Sequence, residues 1–241
     1  MQDPDSFTKR AASFGTNAVA YARHRPRYPD EAVEWVVGDH TRVLDLAAGT
    51  GKLTETLLEF GLEVTAVEPD DLMRAELIRL LPDVHARKGT AEEIPFPDAS
   101  FDVVVTGQAF HWFDTPEALT EITRVLRPGG VFGALWNYDD VSVPWVAGLA
   151  ELVGDAPHGE HTPRHERLGE ASRETWRHSQ RRTVESMLAS LGTHSRMLVI
   201  EEAERVALFD KLRTYLWSRA ETSQGEFERP IVTSGVKAVR V

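Results

Sequence analysis

Residues 43–54 read VLDLAAGTGKLT, and the fold turns on them. Val43 to Leu46 is a short apolar strand, and it runs into a turn carrying Gly49 and Gly51. A helix follows at once, with Leu53, Leu57, Leu58 and Phe60 on one side and Gly61 as its stop. Glycines let such a turn take positive φ and approach a ligand, while the helix N-terminus offers N–H groups that lack intrahelical partners. The same alternation continues outward. EVTAVEPD (63–70) reads as a β-branched strand ending in an acid, and DLMRAELIRLLPD (71–83) as a helix stopped by Pro82. HARKGTAEEIPFPDAS (85–100) reads as a short strand plus loop, and FDVVVTGQAF (101–110) as a fourth strand. PEALTEITRVLRPGG (116–130) reads as a helix with a Pro-Gly-Gly exit, and VFGALWN (131–137) as a fifth strand. Strands alternating with helices of about 10–15 residues predict an open, doubly wound, mostly parallel α/β sheet over 42–138.

The flanks are less regular. SFGTNAVAYARHRPRYPD (13–30) predicts a short helix ending before Pro26. Asp30 is placed as N-cap of EAVEWVV, whose Ala32, Val33, Val36 and Val37 form an apolar stripe. Past Asp140 the pattern weakens. Residues 154–182, rich in His and Arg, read as an exposed excursion, and 184–191 and 201–218 as helices. The second of these helices carries Val206, Phe209, Leu212, Leu216 and Trp217. PIVTSGVKAVRV (230–241) alternates as a final strand, suited to an antiparallel place at the sheet's end. The expected organisation is an N-terminal helical segment (1–40), a cofactor-binding core (41–145), and a helical and loop excursion with closing strands (146–241) in the same domain.

Composition narrows the function classes. The chain has 241 residues, 41% hydrophobic and 27% charged, which is ordinary globular usage. Its 27 Lys and Arg against 38 Asp and Glu leave a net charge of −11, which opposes broad binding to nucleic acid or an anionic membrane. The absence of cysteine excludes disulfides, zinc-thiolate sites and cysteine nucleophiles. MQDPDSFTKR at the start has no apolar core of a secretory signal, and no apolar run reaches the ~18 residues of a membrane span. The expectation is a soluble, cytoplasmic protein.

Glu68 follows Gly51 by 17 residues, at the end of the next strand, where a carboxylate can accept from both hydroxyls of a ribose. Three ligands compete for such a turn. A phosphate loop for ATP is rejected, because Leu occupies positions 46 and 53. A dinucleotide turn is weakened, because its third glycine would fall at Thr54. S-adenosylmethionine has a ribose and an adenine but needs no turn built around a diphosphate.

VLDLAAGTG, VTAVEPD, GTAEEIPFPDASFD, AFHWF and LRPGG, in this order and spacing, resemble a class I S-adenosylmethionine-dependent methyltransferase. The likeness covers roughly residues 13–145 and is to the small-molecule branch that includes ubiquinone/biotin-pathway and trans-aconitate type enzymes. It implies a Rossmann-like, seven-stranded sheet with an antiparallel C-terminal strand. It also implies S-adenosylmethionine as cofactor, S-adenosylhomocysteine as product, and no metal. That family's first motif is an acid followed by G-x-G-x-G; this chain has Asp45, then Ala47, Gly49 and Gly51.

Carried over residue by residue, Ala47, Gly49 and Gly51 would wrap the methionine part of the cofactor and Asp45 would orient its amino group. Glu68 would hold the ribose, with Pro69, Asp70 and Met73 bordering the adenine. Thr90 stands where the family often has an acid for the adenine amino group, beside Ala91 and Glu92. Gln108 and Ala109 would touch the methionine end. Tyr21 and Arg25 resemble the family's lid segment, with Arg25 near the cofactor carboxylate.

Other features are set against plainer readings. His111, in Phe110-His111-Trp112, is the candidate catalytic base, against a stacked structural histidine. Methyl transfer to an activated sulfonium carbon can proceed largely by positioning. Trp136 and Asn137 divide evenly between pocket lining and core. Pro95 to Phe101 reads as a plain loop. His158, His161 and His165 read as a hydrated loop rather than a metal site, and Arg181 and Arg182 as a solvated face. The functional expectation is methyl transfer to a small organic acceptor, with O-methylation favoured, by a monomer or homodimer. A NAD-dependent oxidoreductase and a non-catalytic S-adenosylmethionine-binding protein are the alternatives.

Overall fold

The computed structural model describes residues 15–154 and 161–241. After a single turn of tight helix at Gly15–Asn17, the elements are α1 (Ala18–His24), α2 (Asp30–Val37), β1 (Arg42–Leu46), α3 (Lys52–Glu59), β2 (Glu63–Val67), α4 (Asp71–Leu80) and β3 (His85–Arg87). Then come β4 (Phe101–Gly107), a tight turn at Phe110–Trp112, α5 (Pro116–Val125), β5 (Leu126–Asp139) and α6 (Pro144–Val153). The chain closes with β6 (Ser172–Arg182), α7 (Val184–Leu191), α8 (Ser195–Val199), α9 (Glu202–Trp217) and β7 (Phe227–Val239).

The seven strands form one sheet in the order β3-β2-β1-β4-β5-β7-β6. β1 to β5 pair in parallel, with Leu46 opposite Val67 and Asp45 opposite Val105. β7 runs the other way. Asp140 N–H donates to the Pro230 carbonyl, whereas at the opposite end Gly129 N–H donates to Arg240 C=O and Arg240 N–H to Gly130 C=O. Rising numbers in one strand thus meet falling numbers in the other, the antiparallel arrangement. Leu168 bridges Arg240 antiparallel as well. The Rossmann-like, mostly parallel seven-stranded sheet with an antiparallel C-terminal strand, expected from the resemblance, is present.

The chain divides into two compact units: Arg27–Asn137 with His158–Trp176 and Thr233–Val241, and Met1–Pro26 with Tyr138–Pro157 and Arg177–Val232. Each gathers discontinuous segments of the chain. In the first unit, strand alternation sends Val43, Val103, Val105 and Val131 toward Val33 and Val36 of α2 and Leu57 of α3. In the second, Trp145, Leu149, Met187, Leu191, Leu212 and Leu216 of α6, α7 and α9 make a separate core.

Several local expectations are corrected. Asp30 is the first residue of α2, and Pro29 occupies the cap. Leu126-Arg127-Pro128-Gly129-Gly130 is the start of β5, not a helix exit. Phe101 pairs with Leu126 but Val103 with Val131, so the extra residues bulge, helped by Gly129 at φ 77°. Residues 172–182, expected as an exposed excursion, form the edge strand β6. α6, whose first residue is Pro144, went unread in the sequence. Val206 and Trp217 of α9 are 55% and 48% exposed, and Leu212 and Leu216 alone of its named residues are buried. Arg182 is buried, not solvated.

Arg124 ties down the 94–98 loop. Its guanidinium donates to the carbonyls of Ile94 (3.0 Å) and Phe96 (2.8 Å) and pairs with Glu121. Its bond to Asp98 adds little, because that carboxylate is 80% exposed. Arg124→Ala is expected to destabilise the fold by about 2 kcal/mol, because two buried-side carbonyls and Glu121 lose a charged donor. Urea denaturation measures it, and a change below a few tenths of a kcal/mol would contradict the loop-tie role.

Candidate active site

The sheet order reverses between β1 and β4, and ligands of open α/β sheets sit beyond the carboxyl ends of strands at such a point. Asp45 lies there at the end of β1, fully buried, and accepts a 2.6 Å hydrogen bond from Thr54 Oγ1 on α3. Its second oxygen, Oδ1, is buried without a hydrogen-bond partner among the described residues. The turn then folds back on the sheet. Ala48 N–H donates to Val67 C=O at 3.1 Å, and Gly51 N–H to Ala48 C=O at 2.9 Å. Glu68 closes the structure from β2, accepting from Gly49 N–H (2.7 Å) through Oε2 and from Asp70 N–H (2.9 Å) through Oε1. Asp70 in turn caps α4 by accepting from Leu72 and Met73 N–H.

The chain thus brings Asp45, Gly49, Gly51, Glu68, Asp70 and Met73 together. Met73 Cε lies 3.5 Å from where a Cβ on Gly49 would sit. Pro69 is exposed beside Glu68, and of the 90–92 stretch Ala91 is buried while Thr90 and Glu92 are exposed. Gln108 and Ala109 follow β4. Gln108 donates from Nε2 to the Asn137 carbonyl at 2.9 Å and from its backbone N–H to Leu135 C=O at 2.8 Å. Tyr21 and Arg25 belong to the other unit, where the Arg25 guanidinium lies 4.9 Å from the Tyr21 ring centroid and donates to Thr193 C=O. Two contributors escaped the sequence reading. Thr54 holds Asp45, and Arg74 donates to the Glu68 carbonyl at 3.1 Å. The signal for Thr54 was its own position, where a dinucleotide turn would have glycine.

The backbone here is strained in two non-glycine residues. Ala47 has φ 56° and Gln108 φ 59°, beside Gly49 at 58° and Gly51 at 86°. Left-handed backbone costs an L-residue about 1–2 kcal/mol and a glycine almost nothing. Ala47→Gly is therefore expected to raise stability by about 0.5–1 kcal/mol, after the greater freedom of glycine in the unfolded chain is offset. A thermal melt checks this, and a lower melting temperature would show that the methyl group packs usefully.

Both acids titrate abnormally. Burial pushes Asp45 up to about 7, with the Glu68 charge adding to it and the Thr54 bond opposing it. Burial likewise pushes Glu68 up to about 7 against its two backbone N–H bonds. Two buried carboxylates beside a glycine turn suit cations and hydroxyl donors. Lys52, the cation nearest in sequence, is paired with Glu55 at 3.3 Å.

S-adenosylmethionine fits that donor set. Its ammonium and sulfonium are cations, its ribose supplies two hydroxyl donors, and Asp45 Oδ1 offers an unmatched acceptor. Among the described residues no group of three or more His, Asp or Glu is placed to hold a metal ion. No helix among them is long and apolar enough to cross a membrane.

Beyond β4, Phe110, His111, Trp112 and Trp136 form an aromatic group, and His161 joins it. Its ring is 6.0 Å from His111, 6.2 Å from Phe110 and stacked 6.5 Å from Trp136. The hydrated-loop expectation is corrected for His161, which pairs with Asp114 at 3.0 Å. His165 lies 3.4 Å from Thr120 Oγ1, and His158 lies outside the described residues. Trp136 is buried within β5, and Asn137 is spent on Thr233, Arg27 and Gln108.

Residues 44–134 match the family described as a methyltransferase domain. An uncharacterised methyltransferase of Mycobacterium tuberculosis (strain ATCC 25618 / H37Rv) is 50% identical over 143 residues, 59% of each chain. A malonyl-[acyl-carrier protein] O-methyltransferase of Enterobacter lignolyticus is 31% identical over 166 residues, 67% of this chain and 66% of that one. A solved structure, a putative type II methyltransferase from Anaeromyxobacter dehalogenans, superposes with TM-score 0.66 at 26% identity, covering 90% of this chain and 97% of that one. The alignments with the mycobacterial relatives span 59% of their length.

Proposed function

We propose that this chain, which belongs through residues 44–134 to the class I S-adenosylmethionine-dependent methyltransferases, transfers the methyl group of that cofactor to a small organic acceptor. The observation that carries the reading is the pair of buried acids at the switch point, Asp45 with an unmatched oxygen and Glu68 anchored by the turn itself. When bound, the cofactor supplies a methyl group already activated on a sulfonium. The chain's own task is therefore placement and exclusion of water. Glu68 would take the ribose hydroxyls on lone pairs left by Gly49 and Asp70, and Asp45 would orient the amino group. Ala47, Gly49 and Gly51 would wrap the methionine part. Pro69, Asp70, Met73, Thr90, Ala91 and Glu92 would border the adenine, and Gln108 and Ala109 the methyl-bearing end. Tyr21 and Arg25 would take the lid role that the resemblance implies for them.

The net charge of −11 supports a small acceptor over nucleic acid. O-methylation is the favoured outcome, supported by the Enterobacter lignolyticus relative whose name states it. A chain without cysteine suits the cytoplasm, as monomer or homodimer. The NAD alternative is disfavoured, because Thr54 stands where a dinucleotide turn has its third glycine and the similar proteins are named methyltransferases. Incubation with methyl-labelled S-adenosylmethionine and a panel of phenols, alcohols, amines and carboxylic acids tests the reading. It expects acceptor-dependent S-adenosylhomocysteine, and none across the panel would count against it.

A further inference from the structure

The two histidines beyond β4 face partners of opposite kind. Trp136 Nε1 donates to His111 Nδ1 at 3.4 Å. An indole N–H can only donate, so His111 accepts through Nδ1 and keeps its proton on Nε2. His161 Nδ1 lies 3.0 Å from Asp114 Oδ2, and an ionised carboxylate can only accept. His161 therefore carries its proton on Nδ1, which leaves the Nε2 lone pair as a base. A base held by a third group in one tautomer is the arrangement that general-base catalysis uses. Asp114 is shared with a cavity of about 460 Å³, lined also by Thr115, Pro116, Leu119, Thr162 and Arg164. That is the size of a small-molecule site. His161 and Asp114 are 26% and 29% exposed at their side chains, so both are reachable and neither is free to wander.

We propose that His161, oriented by Asp114, is the proton acceptor for the methyl acceptor, and that this acceptor is a hydroxyl compound rather than a carboxylate. The proposal rests on the methyltransferase reading above. A carboxylate is already ionised near neutral pH and has no proton to give, so a built base would be idle toward it. A phenol, enol or alcohol does have one. As its oxygen lone pair forms the new O–CH3 bond, the hydroxyl proton passes to His161 Nε2. The carbon–sulfur bond breaks with its electron pair left on sulfur, giving the thioether product. Asp114 then faces an imidazolium, which returns the proton to water. Among the described residues, the charged or titratable groups around His161 are Asp114, His111, and Arg173, which donates to the His161 carbonyl and to Thr162 Oγ1, together with Arg164 on the cavity wall.

The first test needs no turnover. Long-range ¹H–¹⁵N NMR of the imidazoles in the intact protein should show the Nδ1–H tautomer for His161 and the Nε2–H tautomer for His111. Reversed tautomers would overturn the proposal. The second uses the hydroxyl and carboxylic acid panel with S-adenosylhomocysteine formation as readout. His161→Ala should lower kcat on phenols and alcohols by about 10²–10⁴-fold, with partial rescue by added imidazole. Asp114→Asn should lower it less. Both variants should bind S-adenosylhomocysteine as the unmodified chain does. If the unmodified chain methylates an acceptor and His161→Ala keeps kcat within twofold, the base assignment is wrong. If it methylates only carboxylic acids, the acceptor class is wrong. If it methylates nothing while the tautomers hold, it is the methyltransferase reading that fails.

Discussion

Glu68→Ala is expected to weaken binding of S-adenosylhomocysteine by about 1.5–3 kcal/mol, roughly 10- to 150-fold. Each Glu68 oxygen already takes one backbone N–H, from Gly49 or Asp70, and each has a further lone pair for a ribose hydroxyl. Alanine would remove both acceptors proposed for the ribose. It also releases the Gly49 N–H that holds the turn against β2, so the loss falls at the upper end of the range if the turn loosens. The fold should survive, because the turn keeps its bond from Ala48 to Val67 and α3 keeps Leu53 and Leu57 in the core. Isothermal titration gives the number and circular dichroism confirms the fold. An affinity within twofold of the unmodified chain would remove Glu68 from the site.

The second large effect is on pH. Asp45 and Glu68 have unfolded values near 3.8 and 4.5 and folded values of about 7. Between those limits the folded state binds more protons than the unfolded one, so stability falls as pH rises through that window and levels off above it. The unliganded protein should therefore lose on the order of 5 kcal/mol of stability between pH 5 and pH 8 through this pair. His24, whose proton burial and Arg182 disfavour, acts with the opposite sign in the lower part of the window. Comparison with Asp45→Asn isolates the Asp45 share: the variant's melting temperature should depend less on pH than the unmodified chain's. Affinity should move the other way. A cationic cofactor prefers both acids ionised, so binding should tighten as pH rises through 7 and should release protons. A flat affinity from pH 6 to 8 would contradict the two raised acids.

How much of this was legible in the sequence differs between the two halves. β1 to β4, the turn and Glu68 could be read because buried parallel strands and amphipathic helices impose distinct hydrophobic periods. β6 could not. SRETWRHSQRR is an edge strand, mostly exposed on both faces, so nothing required its residues to alternate. The Pro128-Gly129-Gly130 run mimicked a breaker because a bulge needs the same residues as a turn. At the site, the placing of Glu68 beside the glycine turn followed from spacing. The unmatched Asp45 oxygen and the positive φ of Ala47 needed coordinates, since neither burial nor backbone angle is written in residue type. His161 was passed over because its local sequence lacks an apolar face. Its partners, Asp114 and the ring of Trp136, come from residues 47 and 25 positions away.

The most direct test of the central claim, that paired acids at the switch point hold a cationic adenosyl cofactor, is calorimetric titration with S-adenosylmethionine, S-adenosylhomocysteine and NADH at pH 8. Micromolar binding of both adenosyl compounds and none of NADH is the predicted result. Binding of NADH, or of neither adenosyl compound, would contradict it and leave Asp45 and Glu68 as structural acids of a fold without this chemistry.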